Sequence, residues 1–579
     1  MICYILTCRK SFILLFSCFF LTASVVTAQT GEVSGAVRSA TDDQPLSGVT
    51  IQVKGSSNTT ATDAKGHYVL KNISSTDSLL FSYTGFKTEI VSVNGLAEVN
   101  MSLQVNASSL NQVVVIGFGT TSRRELTGAV SSVKAEDLQK VPSTSFTGAI
   151  QGKVPGVFIS HTSGAPGGSS SVRIRGVGTT GGNEPLYVID GVPIGGGGMS
   201  TAGSSDKVDG LSVINPNDIA SVEVLKDAAA AAIYGARAAN GVILITTKRG
   251  KEGKAKVDFS AYSGFQQLWK NPGFLNAQEF ATLTNELYTN SGMTPNPEWA
   301  DPASLGKGTN WIKQVFRNGP VQNYYINVSG GTNKLKTTLS LGYLNQAGTM
   351  IETFYKRYTG RATVDLKVND KLSFGGALSF ASSQNKAQQN SVMNYGIFNL
   401  AQEMYPTLGP DAVIGGSSAY FTTQGDNPVL RAKSMDNRLN DLRLFGNAFG
   451  EYEIIKGLKF KTEIGIDADN SRNSSWNPSA HRGFYVNPQA VLAVTSTQGL
   501  NWLIQNTLSF SKRFGNNRIS AVVGQTAQKN DVNWISATGR DFPNEQLQVI
   551  NASTLALSRS GTGSLYALAS YLGRVNYSY

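Results

Sequence analysis

The chain has 579 residues, too many for one ordinary domain, so several domains or one very large barrel are expected. Charged residues make up only 15%, while there are 61 glycines and 21 Tyr, 26 Phe and 6 Trp; this mixture excludes a charge-rich disordered chain and a coiled coil, and reads as many strands joined by turns. The net charge is +11, but the basic residues are scattered, with Arg123-Arg124 and Lys248, Arg249 and Lys251 the densest groups, so no nucleic-acid partner is expected.

Residues 1–28 read as a signal peptide. A basic pair, Arg9 and Lys10, precedes an apolar core from Phe12, and Val26-Thr27-Ala28 offers the small residues a signal peptidase needs, with cleavage after Ala28. The three cysteines, Cys3, Cys8 and Cys18, all lie inside this segment. Removing Arg9 and Lys10 leaves 48 basic against 39 acidic residues, a net charge of +9. No later stretch reaches the roughly eighteen apolar residues of a spanning helix, so a membrane-spanning form must be a β-barrel.

Residues 29–106 contain short alternating runs, GEVSGAVRS, GVTIQVKG, TDAKGHYVL, SLLFSYTGF and EVNMSL, separated by turns such as Asp63-Ala64-Lys65-Gly66; the pattern predicts a small β-sandwich. Residues 107–124 form a linker. Within it Asn111 to Gly119 reads as an uncharged, β-branched, extended strand, either a template for β-augmentation by a partner or an edge strand of a neighbouring domain. Across 125–250, strand-like SVRIRG, PLYVIDGVP, SVEVL and GVILITTK alternate with helix-like segments at AEDLQK, TGAIQGK and DAAAAAIYGARAANG, which predicts a compact α/β domain.

From 251 to 579 the period becomes two. Ten runs near 9–14 residues alternate apolar and polar, about the length of a tilted membrane strand. In YTGRATVDLKV, Tyr358, Gly360, Ala362, Val364, Leu366 and Val368 share one face and Thr359, Arg361, Thr363, Asp365 and Lys367 the other. Short turns near 330, at Asn369-Asp370, Lys456-Gly457 and Gly515-Asn516-Asn517, alternate with longer connections at 267–321, 345–357, 383–440, 469–500 and 528–564. Segregation of loop length by side favours a barrel over a soluble sandwich.

Motifs for chemistry are weak. Gly176-Val177-Gly178-Thr179-Thr180-Gly181 matches GxGxxG, but a strand follows it where a dinucleotide site needs a helix N-terminus, so it reads as a flexible loop. Gly195 to Gly198 reads as a mobile loop. The mature chain has only His67, His161 and His481, far apart and without cysteine, so no catalytic, metal or cofactor site is expected and the protein is read as no enzyme. Asp190 reads as a turn residue before Gly191.

The order of segments and five stretches, LTGAVSSV (126–133), GKVPGV (152–157), SVRIRG (171–176), PLYVIDGVP (185–193) and INPNDIASVEVLKDAAAAAIYGARAANGVILITTKRG (214–250), resemble the SusC/RagA family of TonB-dependent outer-membrane transporters of the Bacteroidetes type. The resemblance implies a mainly β chain: a transmembrane antiparallel β-barrel, an α/β plug domain at 125–250 and an N-terminal carboxypeptidase-regulatory-like β-sandwich. Gln112, Val113, Val114, Val115, Ile116 and Gly117 are similar to the family's TonB box. Arg173, Arg175, Gly176, Asp190, Gly191, Tyr234, Gly235, Asn240 and Gly241 fall in the plug motif. Implied partners are TonB with ExbB and ExbD, a SusD-like lipoprotein, outer-membrane lipid and a bulky oligosaccharide or peptide substrate; a structural or adhesive surface protein without transport is the alternative. Family barrels have about twice the ten strands counted here, so the sequence is expected to be the N-terminal part of a longer protein.

Overall fold

The computed structural model describes residues 31–579 apart from 41–42, 84–85, 105–112, 116, 123–128, 141–142, 162, 195–198, 201–206, 272, 389–395, 413–425 and 483–484. The signal peptide, Gln112, Ile116, Arg123-Arg124 and the glycine run at 195–198 lie outside the described residues. The chain divides into two units, one of residues up to 113 with 122–124, the other of 114–121 with 125–579.

The first unit holds strands β1 (Gly31–Ser39), β2 (Thr50–Val53), β3 (Thr59–Ala61), β4 (His67–Ile73), β5 (Ser78–Ser82), β6 (Glu89–Ser92) and β7 (Met101–Leu103). They form two sheets, ordered β4-β1-β7 and β3-β2-β5-β6. Alternation turns Val33 and Val37 of β1, Ile51 of β2, Leu70 of β4 and Leu79 and Phe81 of β5 into one buried core, as the period-two pattern requires. Gly35 is needed for close approach: a Cβ there would lie 2.0 Å from the Val99 carbonyl oxygen. The Tyr68 hydroxyl donates to that same carbonyl at 2.8 Å, and its ring meets Phe81 edge-on at 5.6 Å.

Burial pushes the Tyr68 hydroxyl up to about 12, because the phenolate would lose its hydration there. Its proton is therefore held in the folded domain after the unfolded chain has released it near pH 10. The domain should keep full stability below pH 10 and lose roughly 2–3 kcal/mol as pH rises to 12. Thermal melts across that range check this, and Tyr68→Phe should flatten the slope.

After the sandwich β8 (Val113–Val115) pairs with β9 (Thr120–Ser122). Segment 111–119 is thus not one extended strand, because Gly117, Phe118 and Gly119 all take positive φ (65°, 39° and 149°) and reverse the chain. Then follow β10 (Val130–Lys134), β11 (Val157–His161), β12 (Ser170–Ile174), β13 (Leu186–Ile189), β14 (Val192–Ile194), β15 (Met199–Ser200), β16 (Lys207–Val208), β17 (Ile219–Leu225) and β18 (Val242–Thr247). A mixed sheet, β10-β17-β18-β13-β14, runs through this domain, with β13 and β18 parallel and its other pairs antiparallel. One sheet face buries Val222, Val224, Ile243, Ile245 and Ile189 under the helix Phe146–Ile150; the other carries Leu225, Leu244 and Val188 under the turn Ala228–Ala238.

Around it stands an antiparallel wall of ten strands: β19 (Gly253–Gln266), β20 (Gly319–Gly331), β21 (Leu335–Ala347), β22 (Phe354–Lys367), β23 (Leu372–Lys386), β24 (Asp436–Ile455), β25 (Leu458–Asn477), then, after the small hairpin β26 (Ala480–Arg482) and β27 (Tyr485–Asn487), β28 (Val491–Phe514), β29 (Asn517–Arg540) and β30 (Leu555–Ser578). Consecutive wall strands are neighbours throughout. The two faces separate as the alternation predicts. Tyr358, Val364 and Leu366 of β22 and Phe374, Leu378 and Phe380 of β23 are exposed on the outer face, whereas Thr359, Arg361 and Thr363 are buried inside.

Strands β19–β22, at 13 or 14 residues, keep to the 9–14 expected, whereas β23 has 15, β24 and β25 have 20, and β28, β29 and β30 have 24. The connections at 478–490 and 541–554 are correspondingly shorter than 469–500 and 528–564. Beyond the apolar belt, both faces of stretches such as DADNSRNSSWN are polar, so hydrogen-bonded strand there carries no apolar alternation to read. The loops at 267–318 and 387–435 build a core of their own around Trp311, Ile312, Val315, Ile397, Ala401 and Val429.

Candidate functional site

The inner face of the wall meets the α/β domain mainly through hydrogen bonds. Asp190, between β13 and β14, takes φ 45° and Gly191 φ 92°, so the turn reading of this pair is met. Its carboxylate has a second engagement: Oδ1 accepts from the Thr247 backbone at 2.9 Å, and Oδ2 accepts from the Thr247 hydroxyl at 2.6 Å and from Arg361 Nη2 at 2.6 Å. Arg361 also donates to Ser379 Oγ at 2.5 Å and to the Thr247 hydroxyl, and both side chains of the ion pair are 4% exposed.

Further contacts repeat this pattern. Tyr325 and Ser340 donate to Asp218 Oδ1 at 2.8 and 2.6 Å, and Asn215 donates to the Thr359 hydroxyl at 3.3 Å. Asn385, Asn447 and Asn501 donate to the carbonyls of Pro166, Asp190 and Pro193 at 2.8, 3.1 and 3.1 Å. Arg443 binds both oxygens of Asp467 and reaches the Gly210 carbonyl. Burial pushes the Asp218 carboxyl above the ordinary carboxylate range, opposed by its two hydroxyl donors. Against this polar set, three wall residues, Ala381, Phe445 and Leu503, join the domain's main apolar core. A contact made largely of hydrogen bonds exchanges with water at small net cost, whereas the domain's own core does not.

The other residues singled out in the sequence hold the domain together. Arg173 pairs with Glu184, and Arg175 (φ 59°) pairs with Asp227 at 2.5 Å, next to Gly176 (φ 96°). Asn240 donates to the Gly182 carbonyl at 2.7 Å; Gly235 (φ 69°) and Gly241 (φ 87°) bracket the turn's end. The loop 176–181 is pinned rather than loose, because Asn183 accepts from the Gly178 and Thr179 amides and donates to the Thr179 and Gly181 carbonyls, and β13 follows it. Tyr234 is buried and meets Phe118 with ring centroids 5.7 Å apart. Gly117 sits where no side chain fits, since a Cβ would lie 2.7 Å from the Tyr234 ring at φ 65°; Arg574 of β30 donates to its carbonyl at 3.3 Å.

Two features escaped sequence reasoning. Glu223 of β17 lies on the sheet face of Leu225 and Leu244, 3% exposed, and burial pushes it up to about 7; a carboxyl inside an otherwise β-branched run, SVEVL, was the signal available. Cavities also line the domain. One, about 1210 Å³, lies toward the long-loop end and is lined by Asp469, Asn473, Thr497, Asn530, Trp534 and Tyr566 among others. One of about 540 Å³ lies toward the short-turn end, between Gly117, Phe118 and Tyr234 and the wall residues Asp365, Phe449 and Lys461.

Residues 122–242 match the TonB-dependent Receptor Plug Domain, and residues 33–115 the CarboxypepD_reg-like domain. TonB-dependent receptor P26 of Formosa agariphila is 31% identical over 557 residues, covering 94% of this chain and 54% of the relative. TonB-dependent receptor SusC of Bacteroides thetaiotaomicron is 29% identical over 581 residues, covering 95% and 55%. The RagAB peptide importer in its open-open state superposes with a TM-score of 0.70 at 26% identity, covering 81% of this chain and 55% of that one. The chain spans about half the length of the curated relatives it matches. With a plug domain, a carboxypeptidase-regulatory-like domain and ten antiparallel wall strands in this order, the chain is a SusC/RagA-like TonB-dependent receptor.

Proposed function

We propose that this chain serves TonB-dependent import of bulky nutrients, oligosaccharides or peptides, across the outer membrane, with a SusD-like surface lipoprotein over the long-loop end. The signal peptide is removed near Ala28, the barrel portion at 251–579 lies in lipid, and the plug at 125–250 closes the lumen. TonB, with ExbB and ExbD, pairs with residues 112–117 from the short-turn, periplasmic side and pulls. The observation that carries this reading is the seating of Gly117 and Phe118 directly against Tyr234 of the plug, immediately after the strand Val113–Val115. Force on that strand reaches the plug within two residues. The mainly hydrogen-bonded plug–wall contact supports a plug that rearranges in part while its own core stays intact. Strand addition gives a handle whose hydrogen bonds share a load applied along them.

Similarity to a peptide importer makes peptides one class to test, and oligosaccharides are the other. Cells carrying the full-length gene, with and without residues 112–117, are given labelled oligosaccharide and peptide pools. Uptake of one pool is expected and should fall to background on deletion, with surface binding retained. Uptake that survives the deletion overturns the proposal and favours an adhesive surface protein.

A further inference from the structure

Three cavities follow one another down a single side of the plug. The upper one, about 1210 Å³, shares Pro193 and Arg237 with a middle one of about 340 Å³. The middle one shares Phe118, Gly191, Tyr234 and Gln505 with the lower one of about 540 Å³. On the wall side the middle cavity is formed by β28, β29 and β30, through Leu503, Thr526 and Ser570 among others. Between upper and middle cavities Arg237 donates to Gln528; between middle and lower, the Phe118 ring lies tilted against Tyr234, centroids 5.7 Å apart.

The plug is fastened unevenly. Toward β20–β25 it is held by the Asp190–Arg361 ion pair, by Asp218 with Tyr325 and Ser340, and by Arg443. Toward β28–β30 the ties are the Arg237–Gln528 hydrogen bond, with no carboxylate paired to Arg237 among the described residues, one hydrogen bond from Asn501 to the Pro193 carbonyl, one from Arg574 to the Gly117 carbonyl, and the packing of Leu503 on the domain's core. The segment carrying Arg237 is one helical turn, Ala228–Ala231, followed by a 3-10 turn broken at Gly235 (φ 69°, ψ −160°), a short irregular element of low intrinsic stability.

We propose that imported solute passes along this side, between the turn Ala229–Arg237 and strands β28–β30, with Arg237–Gln528 as the upper constriction and Phe118–Tyr234 as the lower. This rests on the import reading above. A pull on the linker withdraws Phe118 from Tyr234, opens the lower constriction and frees the broken turn, while the plug stays fastened to β20–β25.

Residues 29–579 hold no cysteine, so in a full-length gene whose other cysteines are replaced by serine Thr526→Cys places a single thiol in the middle cavity. Ser260→Cys does the same in a separate cavity near Pro216, Lys248 and Tyr325 on the β19–β20 side. Cells carrying the full-length gene are exposed to a membrane-impermeant maleimide with the oligosaccharide and peptide pools. The thiol of the Thr526→Cys variant should react about tenfold faster during energised uptake than in de-energised cells, and the acceleration should vanish when 112–117 is deleted. Adding Arg237→Ala should raise its resting rate, and the Ser260→Cys rate should not respond to energisation. Thr526→Trp should cut uptake about tenfold or more with surface binding retained, and Ser260→Trp should leave it unchanged. A Thr526→Cys thiol indifferent to energisation, or a block by Ser260→Trp and not Thr526→Trp, overturns the route. If deletion of 112–117 spares uptake, the import reading fails; if deletion abolishes uptake and the Thr526→Cys thiol stays silent, the route alone fails.

Discussion

Arg361→Met is expected to destabilise the seated plug by about 3–5 kcal/mol, because it leaves the Asp190 carboxylate buried without its counter-ion. The wild-type pair is 4% exposed on both sides and 2.6 Å apart, and Thr247 alone would remain to donate to Asp190. Replacing both members tests whether the penalty is the unpaired charge. Arg361→Met with Asp190→Asn should recover most of the loss, since two neutral groups of similar volume carry little desolvation cost. Thermal unfolding in detergent, with protease cleavage of the plug as a second probe, reads both. A single variant as stable as wild type would mean that water reaches the pair and that the latch lies elsewhere, at Asp218 with Tyr325 and Ser340.

Glu223→Gln is expected to stabilise the plug by roughly 3 kcal/mol near pH 8. Glu223 sits beside Leu244 and Leu225 on β17, with burial raising its carboxyl to about 7 and the hydroxyls of Ser221 and Ser132 opposing that shift. The folded pKa exceeds the unfolded one, so the protonated folded form is favoured. The stability is fully present below about pH 4.5 and is lost as pH rises through 7. Glutamine keeps the shape without the ionisation, so the stability curve should lose its slope over that window. Urea unfolding of wild type and variant at pH 5 and pH 8 decides it; equal differences at both pH values would refute the account.

Much of the wall was legible in the sequence, because a strand with lipid on one side and polar side chains on the other must alternate. Tyr358, Val364 and Leu366 against Thr359, Arg361 and Thr363 divide in the structure as they do in the sequence. Alternation gave out where both faces of a strand carry polar residues, and there the strands ran on to 24 residues. The linker was misread as extended to Gly119, because a β-branched run shows its propensity but not the three positive φ values that turn it at Gly117. Asp190 was read correctly as a turn residue, yet its ion pair with Arg361 joins positions 171 residues apart, and no local pattern encodes such a distance.

By itself the sequence determined the class of each segment, since period, turn residues and glycine placement are local properties with local physical causes. It also carried the resemblance that placed the plug and the sandwich. Only the tertiary structure decided which buried charges find partners, which side of the plug is tightly fastened and where cavities remain. Those depend on how separate elements meet, and the cost of burying a charge is set by whatever the fold brings beside it.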